Sequence, residues 1–450
     1  MLNSVIDMIS RRLSPARLAM AYRALPPGIS RGLALHRFRQ TVRYAAKHSP
    51  FYRKAFADYG IAAQQVRTPQ DLKDFHTTPE DLVERPTEFI CRPPSIVFES
   101  SGTSGRNKRV YYGQDELVEM GVSMAAGFHL MGLTPEDRVA NAFDFSIWIP
   151  GLITHYGLMA ANNFCLAFGK VDPVEVYRRM ELHRFTVVMG EPTWLIRLTE
   201  LAEQHGSYPL KMLVGGAEEM PARAIPWMKQ VWQGAKVKMC YGSVEQGSAI
   251  GFQPCDWPDG YHVDNFDFLP EIIEPDDQGW GEMVFTTLMR RVMPLIRYRT
   301  RDVTRFETTP CACGITAPRI ARLRGRRDEL VVASGGNLYP KMFENMLRPV
   351  SGLTHDWQVV FLLEGIREVL EIHVETQRTD AAALRREIFA QASGQYPDLM
   401  KNLALGIFEM RVETHAPGEI RKTRKLKRMI DRRHFQPAAP IEEPETAAIA

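Results

Sequence analysis

The spacing of apolar residues changes near residue 95 and separates a helical start from an alternating middle. Residues 1–90 carry apolar positions at helical spacing, as in RGLALHRFRQTVRYAAKH at 31–48, which predicts helices. Ser49-Pro50 ends this helix, because the residue before a proline avoids the α conformation. From about residue 95, short apolar runs alternate with amphipathic segments. This pattern is typical of βαβ units and predicts an α/β fold with a largely parallel sheet.

Glycines stand at the ends of three of the apolar runs. The runs FTVVMG, LKMLVGG and KVKMCYG end at Gly190, Gly216 and Gly242. In open α/β sheets, ligands bind outside the carboxyl ends of the strands. We therefore expect these three strand ends to line one crevice.

Alternation at period two begins at about residue 261 and indicates an antiparallel subdomain. HVDNFDFLPEIIEP and GEMVFTTL flank a predicted turn at 277–279. A charged, glycine-containing segment at 324–328 indicates a linker to a small α+β domain, and the Pro/Ala/Glu-rich end is predicted to be disordered. We predict three parts. A large N-terminal domain at 1–325 contains mixed and parallel sheets and the antiparallel subdomain. A small mobile C-terminal domain follows at 326–435, and a disordered tail at 436–450.

Composition places the chain among soluble globular enzymes. Its 450 residues are 45% hydrophobic and 24% charged, which is ordinary usage. The formal net charge of +3 is too small to indicate nucleic-acid binding. No apolar run reaches the roughly 18 residues of a membrane span, and the amphipathic start lacks the apolar core of a signal peptide. We expect a cytoplasmic protein that binds neither nucleic acid nor membrane. A homodimer is one assembly that the sequence leaves open.

The segment ESSGTSGRNK, at 99–108, lies between two strand-like runs and cannot build a core. Its glycines let backbone N–H groups converge on one anion, its hydroxyls add donors, and Arg106 and Lys108 add positive charge. This composition favours phosphate binding, and an ordinary surface turn is the alternative. The G-x-x-x-x-G-K-[ST] spacing of a P-loop is absent.

Four residues with soft ligand atoms form a candidate metal site. Cys311 and Cys313 form a Cys-x-Cys pair, and Cys255 precedes His262 in PCDWPDGYH. Three thiolates and an imidazole suit a closed tetrahedral zinc site with a structural role. The alternative is buried free cysteines and a surface histidine.

Several segments, in chain order, resemble the adenylate-forming superfamily, which joins acyl-CoA synthetases, luciferases and adenylation domains. SSGTSGRNK resembles its phosphate loop, YGSVE at 241–245 its Y-G-x-[ST]-E motif, and RYRTRD at 297–302 its Y-R-T-x-D segment. GRRDELVVASGGNLYP at 325–340 resembles its hinge motif and the segment that follows. The flanks of these motifs are similar to phenylacetate–coenzyme A ligases, and the resemblance extends over about residues 40–435.

The resemblance implies a binding site for ATP and Mg²⁺. Tyr241 would lie against adenine, Asp302 would accept the ribose hydroxyls, and Glu245 would hold Mg²⁺, which prefers carboxylate and phosphate oxygens. For Asp302, a solvated position in a charged run is the alternative. The other residues that the resemblance assigns to the nucleotide are Ser101, Gly102, Thr103, Ser104, Gly105, Lys108, Gly216, Ala217, Glu218, Gly242 and Ser243.

The resemblance also implies three site residues near or within the small domain. Arg326 would reach a ribose or phosphate, and Asp328 lies at the hinge about which the domain turns between two half-reactions. Lys425, in the basic segment RKTRKLKR at 421–428, would bind the carboxylate and the phosphate as the adenylate forms. Lys422 is the rival position, and a solvated basic tail is the alternative.

The implied reaction is ATP-dependent activation of a carboxylate to acyl-AMP with release of pyrophosphate, followed by acyl transfer to coenzyme A. An aromatic or otherwise apolar acid is expected, because the segment NAFDFSIWIPGLITHYG supplies candidate pocket walls. The alternative for this segment is ordinary core packing. The candidate walls are Phe143, Phe145, Trp148, His155 and Tyr156. Val244 and Ser334 depart from the superfamily pattern and favour, as a second hypothesis, an amine acceptor or AMP transfer. A non-catalytic nucleotide-binding protein is the third hypothesis.

Overall fold

The computed structural model of the chain forms two compact units, residues 1–323 and 324–450. It describes residues 7–8, 13–100, 107–169, 171–217, 220, 224–255, 260–327, 331–333, 336–338, 340–364, 367–404, 408–421 and 426–433. Among these residues, no helix combines the length and the apolar character needed to cross a bilayer.

The first unit begins with helices and continues as alternating strands and helices, as the sequence predicts. Its helices are α1 (Pro15–Ala24), α2 (Pro27–His48), α3 (Pro50–Asp58), α4 (Pro79–Glu84), α5 (Gln114–Met131), α6 (Pro150–Ala160), α7 (Pro173–Tyr177), α8 (Met180–His183), α9 (Pro192–His205) and α10 (Ala224–Val231). Its strands are β1 (Ile96–Ser100), β2 (Lys108–Tyr112), β3 (Arg138–Asn141), β4 (Phe164–Ala167), β5 (Val187–Gly190), β6 (Met212–Gly215), β7 (Lys236–Gly242), β8 (Ala249–Phe252), β9 (Tyr261–Val263), β10 (Phe268–Ile273), β11 (Gly281–Thr287), β12 (Tyr298–Thr304), β13 (Phe306–Glu307) and β14 (Arg319–Ile320).

A mixed sheet organises the first unit, with its strands in the order β13-β14-β9-β8-β7-β6-β5-β3-β4. Strands β4, β3, β5, β6 and β7 run parallel, which confirms the predicted parallel arrangement. Every residue of β5 and β6 is buried, because helices cover both faces of such a sheet. The carboxyl ends of these strands therefore share one edge.

The antiparallel subdomain differs from the prediction at its first strand. β10, β11 and β12 pair antiparallel, with β11 in the middle. The alternating run at 262–275 is divided, however: β9 joins the large sheet, and only β10 belongs to the second sheet. The carboxylate of Asp264 accepts the N–H groups of Phe266 at 3.0 Å and Asp267 at 3.1 Å, and this turn interrupts the strand.

Glu116 connects α5 to the segment that leads into β12. Its carboxylate accepts the N–H of Gly113 at 2.8 Å, which caps the start of α5, and the N–H of Val292 at 2.8 Å. The helix ends at Gly132, whose φ of 101° lies in the left-handed region that favours glycine. One buried carboxylate thus fixes two segments that both flank the candidate site.

The second unit is a small α+β domain, as predicted. Its elements are β15 (Gly325–Arg326), β16 (Val331–Ala333), β17 (Gly336–Leu338), α11 (Pro340–Leu347), β18 (Leu353–Glu364), β19 (Arg367–Thr376), α12 (Ala381–Gln395), α13 (Pro397–Ala404), β20 (Phe408–His415) and β21 (Met429–Asp431). Four of its strands lie in the order β20-β19-β18-β21, and their apolar face contributes to a core separate from that of the first unit. The predicted tail at 436–450 lies outside the described residues, and the mobility of this unit stays a prediction.

Candidate nucleotide site

The predicted crevice corresponds to the carboxyl edge of the parallel strands. Neighbouring strands β5, β6 and β7 end at Gly190, Gly215 and Gly242. A Cβ at Gly242 would lie 2.7 Å from the carbonyl oxygen of Ser248, so only glycine allows this close approach after β7. The chain that leaves β7 is thereby held against the chain that enters β8.

The segment after β6 faces one of the predicted pocket walls. A Cβ at Gly216 would lie 3.3 Å from the ring of buried Phe143. Ala217 follows with a φ of 69°, a left-handed conformation that costs a non-glycine residue about 1 kcal/mol. Such local strain is typical of functional sites, where the surrounding structure holds it in place.

The other predicted walls lie around α6. The rings of Phe145 and His155 are 6.2 Å apart, and a Cβ at Gly151 would come within 2.6 Å of the Phe145 ring. Trp148 and Tyr156 are half-buried and pack against the core of the first unit. The alternative that the sequence left open, ordinary core packing, thus applies at least to these two side chains.

Lys108 and Glu245 form a buried ion pair at the start of β2. The side chains are 12% and 4% exposed, and Lys108 Nζ contacts Glu245 Oε1. The hydroxyl of Tyr298 donates to the same carboxylate oxygen at 2.9 Å. Burial raises the pKa of Glu245, but the charge of Lys108 and hydrogen bonds from Lys108 and Tyr298 outweigh it and lower the pKa to about 2. The carboxylate is therefore ionised at neutral pH.

Backbone contacts fix the loop that carries Glu245. The Tyr112 hydroxyl donates to the carbonyl of Val244, and Arg290 Nη1 donates to the carbonyl of Glu245 at 2.5 Å. Within the loop, the N–H of Gly247 donates to the carbonyl of Ser243 at 3.0 Å. The Glu245 carboxylate is therefore held in place before any ligand binds.

Tyr241 and Asp302 form a second buried contact. The Tyr241 hydroxyl donates to Asp302 Oδ2, and the two residues are 8% and 9% exposed. Asp302 and Tyr298 belong to the same strand, β12, and four residues span at most about 14 Å. Hydrogen bonds and one strand therefore connect Lys108 with Asp302, the two ends of the predicted nucleotide site.

The arginines around Asp302 have other carboxylate partners. Arg297 lies 3.1 Å from Glu271 and Arg299 lies 2.5 Å from Glu282. Arg301, whose φ is 66°, lies 3.2 Å from Glu80. The register between β11 and β12 shifts at this point, which is how a β-bulge redirects side chains beside a site.

Three residues at this site were not assigned by the sequence analysis. Tyr298 lies within the RYRTRD motif, so its position carried a signal, whereas Arg290 lies in the flank before the motif. Gln246 is fully buried, and neither polar atom of its amide has a hydrogen-bond partner among the described residues. Nothing in its sequence context indicated this.

Several predicted site residues lie outside the described residues. These are Ser101, Gly102, Thr103, Ser104, Gly105, Glu218, Asp328 and Lys425. The strands β1 and β2 that flank the predicted phosphate loop pair antiparallel, with Ser100 opposite Lys108. Arg326 lies in β15, in the second unit, and its role stays a prediction.

The four candidate metal ligands lie together. One ligand atom from each of Cys255, His262, Cys311 and Cys313 lies within 4.8 Å of the others. Cys255 Sγ is 3.6 Å from Cys311 Sγ, and Cys313 Sγ is 3.3 Å from His262 Nε2. Around a tetrahedral zinc ion these S–S and S–N separations are about 3.8 Å and about 3.5 Å. Burial lowers the pKa of His262 to about 4, which keeps the imidazole neutral, as metal binding requires.

Family models match both units. The model described as AMP-binding enzyme matches residues 65–264, and the model described as AMP-binding enzyme C-terminal domain matches residues 335–433. Together, the two ranges cover more than half of the chain.

Curated relatives and a solved structure agree with these matches. The phenylacetate–coenzyme A ligase of Thermus thermophilus is 27% identical over 446 residues, covering 91% of this chain and 98% of the relative. The indoleacetate–lysine synthetase of Pseudomonas savastanoi is 25% identical and covers 54% of this chain and 61% of the relative. A crystal structure of 2-hydroxyisobutyryl-CoA ligase in the postadenylation state superposes with a TM-score of 0.78, 22% identity and 92% coverage of both chains, which shows a shared fold.

Proposed function

Because the chain belongs to the AMP-binding enzymes of the adenylate-forming superfamily, we propose that it is an AMP-forming acid–thiol ligase. A carboxylate oxygen attacks the α-phosphorus of ATP, and the bond to pyrophosphate breaks. The thiol of coenzyme A then attacks the acyl carbon of the acyl adenylate, the acyl–phosphate bond breaks, and AMP leaves. The phenylacetate–coenzyme A ligases among its relatives support coenzyme A as the acceptor.

The continuous set of contacts from Lys108 to Asp302 carries this proposal. It runs through Glu245 and Tyr298 and joins a residue beside the predicted phosphate loop to the predicted ribose ligand. A nucleotide needs cationic and acidic groups at two separated points of one site, and this arrangement supplies both. A site with the two groups on different faces would have excluded the reaction.

Lys108 and Glu245 would bind the triphosphate end. Lys108 supplies positive charge for the phosphates. In many enzymes, positive charge placed where the transition state becomes negative makes the largest single contribution to the rate enhancement. The ionised Glu245 fits Mg²⁺, a hard cation that takes carboxylate ligands, and Mg²⁺ bound there would neutralise phosphate charge. Lys108 Nζ and the Tyr298 hydroxyl both contact Oε1 of this carboxylate.

Asp302 and Tyr241 would bind the nucleoside end. An ionised carboxylate can accept both hydroxyls of a ribose, and hydrogen bonds to charged groups are stronger than neutral ones. Tyr241, which already contacts Asp302, would place its ring against adenine. The remaining proposed nucleotide residues are Ser101, Gly102, Thr103, Ser104, Gly105, Gly216, Ala217, Glu218, Gly242 and Ser243.

The second unit would supply the mobile catalytic residues. We assign Lys425 to the carboxylate and α-phosphate, Arg326 to the ribose or phosphate, and Asp328 to the hinge. The resemblance of 325–340 and 421–428 to superfamily motifs supports these assignments. In this proposal the first unit binds ATP, and these residues of the second unit act on the reacting groups.

An aromatic carboxylic acid is the proposed substrate class. The ring of Phe143 lies beside Gly216 at the carboxyl edge of the sheet, where an aryl group could pack against it. The names of two relatives specify arylacetates, phenylacetate and indoleacetate. Pocket shape distinguishes acids by only about 1–3 kcal/mol per methylene, so a panel of acids is needed to identify the substrate.

Product analysis tests the proposed reaction. Purified protein is incubated with ATP, Mg²⁺ and a panel of aryl and alkyl acids, with and without coenzyme A, and the products are identified by mass spectrometry. We expect pyrophosphate and acyl-AMP without coenzyme A, and acyl-CoA and AMP with it. The matched control is the same panel without ATP.

An acceptor other than coenzyme A is the second candidate. The departures at Val244 and Ser334 and the name of the indoleacetate–lysine synthetase favour it. If coenzyme A changes nothing and an amide forms with lysine, the acceptor is an amine. If no acid supports ATP–pyrophosphate exchange, the proposed reaction is wrong.

A zinc ion held by Cys255, His262, Cys311 and Cys313 is proposed to be structural. All four positions of a tetrahedral ion would be occupied by protein, which leaves no open position for substrate. The segment that carries two of the cysteines packs on α1, where the Thr316 hydroxyl donates to the carbonyl of Leu25 at 2.8 Å. The ion would thus connect β9 and this segment to the N-terminal helices.

Replacing Cys313 by serine is expected to remove the zinc and lower the unfolding temperature by several degrees. The loss of one thiolate leaves three ligands and an open site, and the contacts of α1 weaken with it. Elemental analysis should find about one zinc per chain in the parent protein and far less than one in the variant. Cys91→Ser, outside the cluster, is the control, and equal zinc content in all three proteins would contradict the assignment.

A further inference from the structure

Two histidines meet on the polar face of the sheet in the second unit. His373 lies in β19 and His415 ends β20, and these strands run parallel with Glu413 opposite His373. Side chains alternate between the faces of a strand. Since Ile372 and Val374 are buried in the core, the two histidines lie on the opposite, partly exposed face.

The two rings share one short contact. His373 Nδ1 is 2.8 Å from His415 Nε2, and the rings are stacked with centroids 5.1 Å apart. Two nitrogen lone pairs repel each other at this distance. Either one neutral ring therefore donates an N–H to the other ring, or a metal ion binds to both nitrogens.

The other ring nitrogens face carboxylates. His373 Nε2 lies 3.3 Å from Glu371, and His415 Nδ1 lies 3.8 Å from Glu419. Histidines that bind metals usually direct the second ring nitrogen to a carboxylate, carbonyl or water, which fixes the tautomer and the orientation. This pattern leaves the lone pairs on the two nitrogens that face each other.

The charges around the pair favour a cation. Glu371, Glu413 and Glu419 are acidic neighbours, and Glu375 lies opposite His415 in the neighbouring strand. Arg411 is an arginine on the same face, and it lies 3.7 Å from Glu371. Its guanidinium already pairs with two further carboxylates, Glu364 at 2.7 Å and Glu409 at 2.8 Å. The face therefore offers more negative than positive charge to an incoming ion.

We propose that His373 Nδ1 and His415 Nε2 bind one divalent transition-metal ion of the class that prefers imidazole, such as Zn²⁺ or Ni²⁺. The two imidazoles are the protein ligands, and water completes the coordination. A tetrahedral ion separates two nitrogen ligands by about 3.3 Å, so the rings need to part by only about 0.5 Å. The site lies in the second unit, whereas the cysteine cluster lies in the first, and it does not depend on the proposed function.

Ni²⁺ titration of the full, tag-free chain tests the site. The protein is first loaded with zinc and passed over a weak chelating resin, which leaves tightly held, thiolate-bound zinc in place. Calorimetry should then show one Ni²⁺ per chain in the parent protein. His415→Asn is expected to abolish this binding, and Glu371→Gln to weaken it about 10–100-fold through the orientation of His373. His205→Asn, at an exposed histidine that ends α9, should bind like the parent.

Imidazole NMR of the parent protein gives a second readout that needs no variant. Ni²⁺ should broaden the signals of two histidines first, and these are the signals that His373→Asn and His415→Asn remove. Equal Ni²⁺ binding by the parent and the double variant, or no binding by the parent, would overturn the proposal. In that case the two rings share a proton only.

Discussion

Replacing Glu245 by glutamine is expected to lower the rate of acyl-adenylate formation by about 10²–10³-fold. The neutral amide keeps the shape of the side chain but loses its charge. It would no longer hold Mg²⁺ beside the phosphates, and it would leave the buried Lys108 without its counter-charge. ATP–pyrophosphate exchange at saturating acid and ATP measures this step directly.

A matched variant separates charge from hydrogen bonding at this position. Tyr298→Phe removes the hydrogen bond of 2.9 Å that the tyrosine hydroxyl donates to the ionised Glu245, and it leaves the carboxylate in place. A hydrogen bond to a charged group contributes about 1.5–3 kcal/mol, but Lys108 still contacts the carboxylate, so we expect a smaller decrease than for Glu245→Gln. If Glu245→Gln stays within threefold of the parent rate while binding Mg²⁺ normally, Glu245 is not the metal ligand.

The acid range of activity gives a further check on Glu245. The pKa of this carboxyl is lowered from 4.5 to about 2 in the folded chain, so its ionised form stabilises the fold above pH 4.5. That contribution is lost as the pH falls from 4.5 towards 2. Glu245 stays ionised between pH 7 and pH 5, so any decrease in the adenylation rate over this range arises from another group. The ratio of the rates at pH 7 and pH 5 should therefore be the same in Tyr298→Phe as in the parent protein.

Where local pattern determines structure, the sequence predicted which segments the fold brings together. Glycine at the ends of β5, β6 and β7 indicated a shared edge at which the backbone passes closely, as Gly242 shows. The spacing of the cysteines also indicated a cluster whose four side chains the fold brings within 4.8 Å. Both signals depend on residue types, glycine and cysteine, that are specifically required at close backbone approaches and at soft-ligand metal sites.

The pairings across the site could not be predicted, because they join distant segments. Lys108 was expected to face phosphate, and its partner in the structure is Glu245, which was expected to face Mg²⁺. Likewise, the arginines of RYRTRD looked available for a ligand, but three glutamates from other segments pair with them. A charged run shows which charges are present, and only the fold shows which of them are already neutralised.

The Lys108–Glu245 pair also indicates how two buried charges stabilise each other. Each charge would be costly to bury alone, and each neutralises the other until a nucleotide arrives. Binding of Mg²⁺ and ATP would replace one internal ion pair by two external ones, Glu245 with the cation and Lys108 with the phosphates.

Replacing Asp302 by alanine is expected to weaken ATP binding by about 10²-fold, because two hydrogen bonds from hydroxyls to a charged acceptor are lost. Equilibrium binding of ATP to the parent and the variant measures the effect. The parent should lose affinity for 2′-deoxy-ATP and 3′-deoxy-ATP, whereas the variant should bind all three nucleotides alike. Tyr241→Phe is the matched control, since it keeps the ring and the Asp302 charge and removes only the hydroxyl that donates to that carboxylate. If the Asp302 variant still discriminates against both deoxynucleotides, the ribose lies elsewhere, and the nucleotide does not extend along β12 from Tyr298 to Asp302.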